Sequence, residues 1–198
     1  MDRCSLTFVL LAAAVCISAG SLTAGGSSPS DQFVRDACMT TQYPGLCQQC
    51  LASYAPTIRR SKRQLVRAAL AVSADRAQSA STLVRQMSAG RKKSLGSTRE
   101  AGAIGDCLEA MRDGLDRLRR SVREIERMGR ARSPQFAWHL SNMKTWVSAA
   151  LTDEMTCLDG LAQFASSPAV RAGIRKKVVE LSRLTSNALA LVNQLDRD

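Results

Sequence analysis

Residues 98–128 read TREAGAIGDCLEAMRDGLDRLRRSVREIERM, from Thr98 to Met128. Apolar side chains stand at Ile104, Leu108, Met111, Leu115, Leu118, Val122 and Ile125, at alternating spacings of four and three. That repeat places them on one narrow stripe of an α-helix and leaves Arg, Asp and Glu over the rest of its surface. A long helix with a single apolar stripe gains its stability by burying that stripe against partners, so the pattern predicts a helical bundle.

The flanking sequence supplies the partners. Upstream, from about Pro56 to Met87, Leu65, Ala69, Val72, Ala80, Leu83 and Met87 fall at helical spacing, and a basic loop from Gly90 to Gly96 ends the segment. Downstream, Gly129 to Pro134 breaks the pattern, with Ser133-Pro134 as the start signal of the next helix. There Phe136, Leu140, Met143, Val147, Leu151, Leu158 and Leu161 repeat as far as Phe164, with one lapse near Glu154. Pro168 suits the first turn of a last helix carrying Val170, Ile174, Val178, Leu181, Leu184, Ala188, Leu191 and Leu195. Ahead of all these, Ser30 is expected to cap a short helix, and Tyr43-Pro44-Gly45 turns the chain. No segment alternates with the period of a strand. Short loops between long amphipathic helices make sequential helices antiparallel neighbours. The expected fold is all-α: an up-down-up-down four-helix bundle with an N-terminal helical hairpin.

Residues 1–26 stand apart. Arg3 is followed by the apolar run Leu6 to Ala19 and then by the small residues Gly20 to Gly26. That is the form of a secretory signal peptide, and the run is too short to span a bilayer comfortably. The expected mature domain is 27–198, secreted and without a membrane anchor. Removing the leader removes Cys4 and Cys16 and leaves Cys38, Cys47, Cys50, Cys107 and Cys157. In an oxidising compartment that set makes two disulfides and one free thiol, and the count alone allows roughly 15 arrangements. Helical geometry brings Cys107 and Cys157 to similar heights on antiparallel helices, and Cys38 and Cys47 flank the Tyr43-Pro44-Gly45 turn.

Of the 198 residues, 45% are hydrophobic and 23% charged, which suits one folded domain and argues against disorder throughout. Aromatic residues make up 4%, too few for the stacking platforms that read single-stranded nucleic acid. Lys and Arg number 28 against 17 Asp and Glu, a net charge of +11. The clusters Arg59-Arg60, Arg91-Lys92-Lys93, Arg119-Arg120 and Arg175-Lys176-Lys177 are spread over several segments, the pattern of solvated faces. Secretion disfavours nucleic acid as a partner and leaves weak adsorption to a polyanion such as acidic pectin. Catalytic signatures are missing. There is no G-x-S-x-G elbow, no P-loop and no G-x-G-x-x-G, and His139 is the single histidine. Cys47-Gln-Gln-Cys50 lacks the strand context of a redox motif and the second CxxC of a zinc site. Asp153 and Glu154, adjacent on a helix, point in different directions and cannot readily share a substrate atom. Neither enzyme activity nor a cofactor or metal is expected.

Three stretches resemble the plant invertase/pectin methylesterase inhibitor family: Cys38-Met-Thr-Thr-Gln-Tyr43-Pro44-Gly-Leu46-Cys47, Asp106-Cys107-Leu108-Glu109, and Trp146 through Thr152-Asp153-Glu154-Met-Thr-Cys157-Leu-Asp-Gly160. They occur in the family's order across the mature chain. The resemblance implies disulfides Cys38–Cys47 and Cys107–Cys157 and leaves Cys50 outside the paired positions, as the free thiol. It implies a reversible, stoichiometric inhibitor in the apoplast or cell wall that covers the pectin-binding cleft of a pectin methylesterase. An acid invertase is the alternative target, reached in the family through a Pro-Lys-Phe-type motif. The nearest tripeptide here, Pro134-Gln135-Phe136, lacks the Lys. Thr152 matches a position that resembles a family contact residue. Asp153 is a neighbouring polar candidate, and Glu109, Asp113 and Asp116 are candidates on the preceding helix by periodicity and proximity to its motif.

Overall fold

A computed structural model describes residues 28–91, 98–164 and 168–197. The expected leader at 1–26 and most of the basic loop between Gly90 and Gly96 lie outside the described residues. Helix α1 (Pro29–Met39) and helix α2 (Pro44–Leu51) form the hairpin, and a single helical turn α3 (Ala55–Ile58) follows. Four long helices then come in sequence: α4 (Lys62–Arg91), α5 (Thr98–Arg127), α6 (Pro134–Phe164) and α7 (Pro168–Asn193).

Local chemistry sets the boundaries. The cap of α1 is Ser28 rather than Ser30, because Ser28 and Asp31 form a reciprocal capping box with both bonds at 3.1 Å. Pro29 then takes the first helical position, where its missing N–H costs nothing. At α6 the Ser133 hydroxyl accepts from the Phe136 amide at 3.1 Å and donates to the Arg130 carbonyl at 2.7 Å, fixing the Ser133-Pro134 start. The segment expected to begin near Pro56 is broken. Arg59 and Arg60 take positive φ (48° and 63°) and end α3, and α4 restarts at Lys62 behind Ser61, whose hydroxyl accepts from the Gln64 amide at 3.3 Å. Arginine carries no left-handed preference, so nothing in the sequence marked that break.

Side-chain pairs give the topology. Arg119 reaches Gln78 and Arg67 reaches Glu126, which sets α5 antiparallel to α4. Arg117 meets Asp153, and His139 meets Glu124, which sets α6 antiparallel to α5. Thr185 meets Glu154, and Lys144 meets Asp196, which turns α7 back along α6. Each long helix touches two others, in the closed order α4, α5, α6, α7, and the α5–α6 interface is the most extensive. The up-down-up-down bundle follows.

The interior is two stacked apolar layers. One gathers the hairpin, Leu70 of α4, Ile125 of α5, Met143 of α6 and Leu191 of α7. The other gathers Val84, Met111, Leu161 and Val178 at the opposite end. Each layer holds a disulfide: Cys38–Cys47 closes the hairpin, with Cα atoms 5.5 Å apart, and Cys107–Cys157 joins α5 to α6, with Cα atoms 4.1 Å apart. Cys50, expected as the free thiol of the mature domain, is buried in the hairpin layer, and in the full-length chain it is disulfide-bonded.

The hairpin is latched to the bundle by Asn187 of α7, which is 3% exposed. Its Oδ1 accepts from the Tyr43 amide and its Nδ2 donates to the Tyr43 carbonyl, both at 2.9 Å. Asn187→Ala leaves both backbone groups without those partners, and unfolding by denaturant is expected to show a loss of about 2 kcal/mol. A loss below about 0.5 kcal/mol would show that water replaces the latch.

Candidate functional site

The candidate docking surface is the outer face of the α5–α6 pair. Gly114 lies at the contact between the two helices: a Cβ there would meet the Ala150 carbonyl and Asp153 Cβ at 3.5 Å, in ordinary van der Waals contact. Beside it Arg117 pairs with Asp153 and also donates to the Ala149 carbonyl at 3.3 Å. Further along the same seam, Glu124 Oε2 lies 2.6 Å from His139 Nδ1 and accepts from Asn142 Nδ2 at 3.3 Å. The Arg120 guanidinium sits over the Trp146 ring, 5.1 Å from its centroid. The seam is thus clamped by polar contacts along its length, with Cys107–Cys157 at one end.

The five candidates on these helices fall in different settings. Thr152 is exposed on the outer face of α6, its hydroxyl turned back to donate to the Ser148 carbonyl at 3.2 Å. Glu109 and Asp113 are exposed, and helical spacing puts them on the outer ridge of α5 with Asp116 and Arg120. Asp116 is engaged by Arg120 at 2.8 Å. Asp153 is turned into the seam and held by Arg117. Its pKa is nevertheless raised, because burial outweighs the attraction of the guanidinium and the nearby Asp113 charge adds to the rise.

The lapse in the α6 stripe is a buried acid. Glu154, 1% exposed, faces α7, where Oε1 accepts from the Thr185 hydroxyl at 2.7 Å and Oε2 has no partner. Burial pushes its pKa up to about 8, against the pull of the Thr185 bond, with the Asp153 charge adding to the rise. Asp153 and Glu154 therefore serve two different helix interfaces rather than one site.

Trp138 is the functional candidate that sequence reasoning missed. It is 66% exposed and lies seven and fourteen residues before Thr145 and Thr152, on the same side of α6. Trp is a rim or core residue by pattern alone; only the packing of its neighbours shows that this one projects outward. Among the described residues no group of three His, Cys, Asp or Glu is placed to hold a metal, and no helix is long and apolar enough to cross a membrane. The one histidine is tied to Glu124, with no nucleophilic side chain bonded to it among the described residues. The arrangement is a polar surface on two helices held together by a disulfide and a line of side-chain pairs.

Residues 32–191 match the family model described as plant invertase/pectin methylesterase inhibitor. The "21 kDa protein" of Daucus carota is 42% identical over 172 residues, covering 87% of this chain and 88% of that protein. Pectinesterase inhibitor 9 of Arabidopsis thaliana is 43% identical over 196 residues, covering 98% of this chain and 95% of its own. In fold, the chain is similar to the crystal structure of a mutant form of a pectin methylesterase inhibitor from Arabidopsis, with a TM-score of 0.61 at 18% identity over 79% of this chain and 92% of that one.

Proposed function

The chain belongs to the plant invertase/pectin methylesterase inhibitor family, and we propose that it inhibits a pectin methylesterase by laying the outer α5–α6 face across the enzyme's pectin-binding cleft. The observation that carries this reading is the face itself: exposed Thr152, Glu109, Asp113 and Trp138 on two helices cross-linked by Cys107–Cys157 and clamped by Arg117–Asp153. A surface held in its bound shape loses little conformational entropy on docking. The block is steric and reversible, and the inhibitor contributes no chemistry of its own. Residues 1–26 are removed on secretion in this reading, and the domain at 27–198 works in the apoplast or cell wall.

Acid invertase is the weaker target. Pro134-Gln135-Phe136 forms the start of α6, and Phe136 packs against the hairpin layer of the core. It offers no projecting lysine for an active site.

Titrating the purified domain against a pectin methylesterase and an acid invertase tests the proposal. Stoichiometric loss of methylesterase activity is expected, with invertase unaffected. Full methylesterase activity at molar excess of folded inhibitor would overturn it. Within the face, Thr152→Arg is expected to weaken inhibition at least about thirtyfold, the scale of an interface hot spot, with melting temperature unchanged. An unaltered inhibition constant would move the interface elsewhere.

A further inference from the structure

A second surface lies across the bundle from α5. The turn Gln42–Leu46 overhangs one face of α7 and leaves a groove of about 800 Å³ beneath it. Its floor is the α7 ridge from Ala172 to Arg183, about 16 Å long at 1.5 Å per residue. The overhang is fixed in place. Asn187 holds both backbone groups of Tyr43, Ser186 donates to Gln42 at 2.9 Å, and Arg183 lies over the Tyr43 ring at 5.3 Å from its centroid. Cys38–Cys47 keeps the hairpin from opening.

The charge of the groove is lopsided. Arg175, Lys176 and Arg183 line it, with Glu180 as the single acid among its lining residues. Arg175 also lines the next depression, between α6 and α7, together with Arg171. Among the described residues no carboxylate forms an ion pair with Arg171, Arg175, Lys176 or Lys177. Elsewhere on the bundle Arg67, Arg117, Arg120 and Lys144 each have an acid, while among the described residues Arg85, Arg123 and Arg130 do not, so it is the gathering of open cations along one groove that sets α7 apart. Cations left open along a prebuilt trough fit a ligand with carboxylates at regular intervals along an extended chain. Guanidinium groups take carboxylates in paired hydrogen bonds, and the Gln42 and Gln49 amides offer partners to hydroxyl groups.

We propose that the groove between the Gln42–Leu46 turn and α7 binds a polyuronate, the de-esterified form of pectin, while the α5–α6 face stays free to dock on the enzyme. The choice of uronate rests on the inhibitor reading above. Each ester that a pectin methylesterase hydrolyses releases methanol and leaves a carboxylate on the polymer. The product of the target enzyme is thus a polyanion, and a chain of net charge +11 gathers where that enzyme has already acted. Product accumulation then raises the local inhibitor concentration, and the two surfaces together close a negative feedback.

The test uses the mature protein, a pectate oligomer and the same oligomer fully methyl-esterified, with binding followed by calorimetry. The pectate oligomer is expected to bind and the ester to fail. Arg175→Glu with Lys176→Glu is expected to weaken pectate binding at least about tenfold, the scale of one charge-assisted hydrogen bond, while methylesterase inhibition on a short soluble substrate is unchanged. Arg85→Glu with Arg130→Glu makes the same charge change on exposed residues away from the groove and is expected to leave pectate binding within about twofold. Equal loss in both double variants would overturn the groove in favour of diffuse attraction. Equal binding of the esterified oligomer, or of a sulfated polysaccharide of similar length, would overturn the uronate assignment. Pectate binding that depends on Arg175 and Lys176 in a protein that fails to inhibit would uphold the groove and refute the inhibitor reading instead.

Discussion

Replacing Cys107 and Cys157 together by alanine is expected to cost about 4 kcal/mol of folding free energy. The bridge closes a loop of sequence separation 50. In the chain-entropy account, such a constraint removes roughly that much freedom from the unfolded ensemble. Both cysteines belong to the apolar layer that holds Met111 and Leu161, where the alanine pair leaves a small void that adds to the cost. Denaturant titration under oxidising conditions reads the loss directly. The docking face should suffer with it, because α5 and α6 lose the disulfide that cross-links them away from their connecting turn. Inhibition of the methylesterase should weaken even at temperatures where the variant remains folded. A loss under about 1 kcal/mol would mean that the polar seam from Arg117 to His139 holds the helices unaided.

The second large effect is a stability that declines as the medium becomes less acidic. Glu154 has its ordinary pKa near 4.5 when unfolded and about 8 when buried against α7. Between those values the folded chain holds a proton that the unfolded chain has released. Folding is therefore favoured most below the lower value, and the advantage disappears as pH rises through the upper one. The folding constant should fall by up to about tenfold per pH unit across that window, several kcal/mol in all. Asp153, also raised by burial, adds to the decline with the same sign. Glu154→Gln keeps an acceptor for Thr185 and cannot ionise. Its stability profile should lose most of that decline from pH 4.5 to 8, keeping only the smaller contribution of Asp153, and should lie somewhat below the parent at the acid end because the amide hydrogens find no acceptor, and above it at the alkaline end. A parent profile already flat over that range would mean that Glu154 ionises freely, against the burial seen here.

The sequence announces the bundle because the α5 stripe repeats without a lapse, and because Pro134 and Pro168 sit where a first turn tolerates them. The break at Arg59 and Arg60 is silent, since those residues adopt left-handed backbone only under tertiary constraint. Glu154 shows up as a flaw in periodicity, but a pattern of apolar positions does not reveal that the flaw is a protonated group facing Thr185. Thr152 was reached through motif likeness. Its setting was legible only in part: the ridge of Glu109, Asp113 and Asp116 follows from spacing, whereas the capture of Asp153 by Arg117 requires the closeness of the helices at Gly114. The latch at Asn187 joins residues 144 positions apart, a distance no local rule bridges.

The bridge from α5 to α6 straddles the exposed turn at Arg130–Arg132. Three basic or small residues at a loop tip are an inviting site for a trypsin-like protease. A cut there would not release two pieces. The sulfur bond would keep the halves as one molecule, with the clamps at Arg117 and Trp146 still closed, so a clipped inhibitor would run as two bands only after reduction and would keep its docking face assembled.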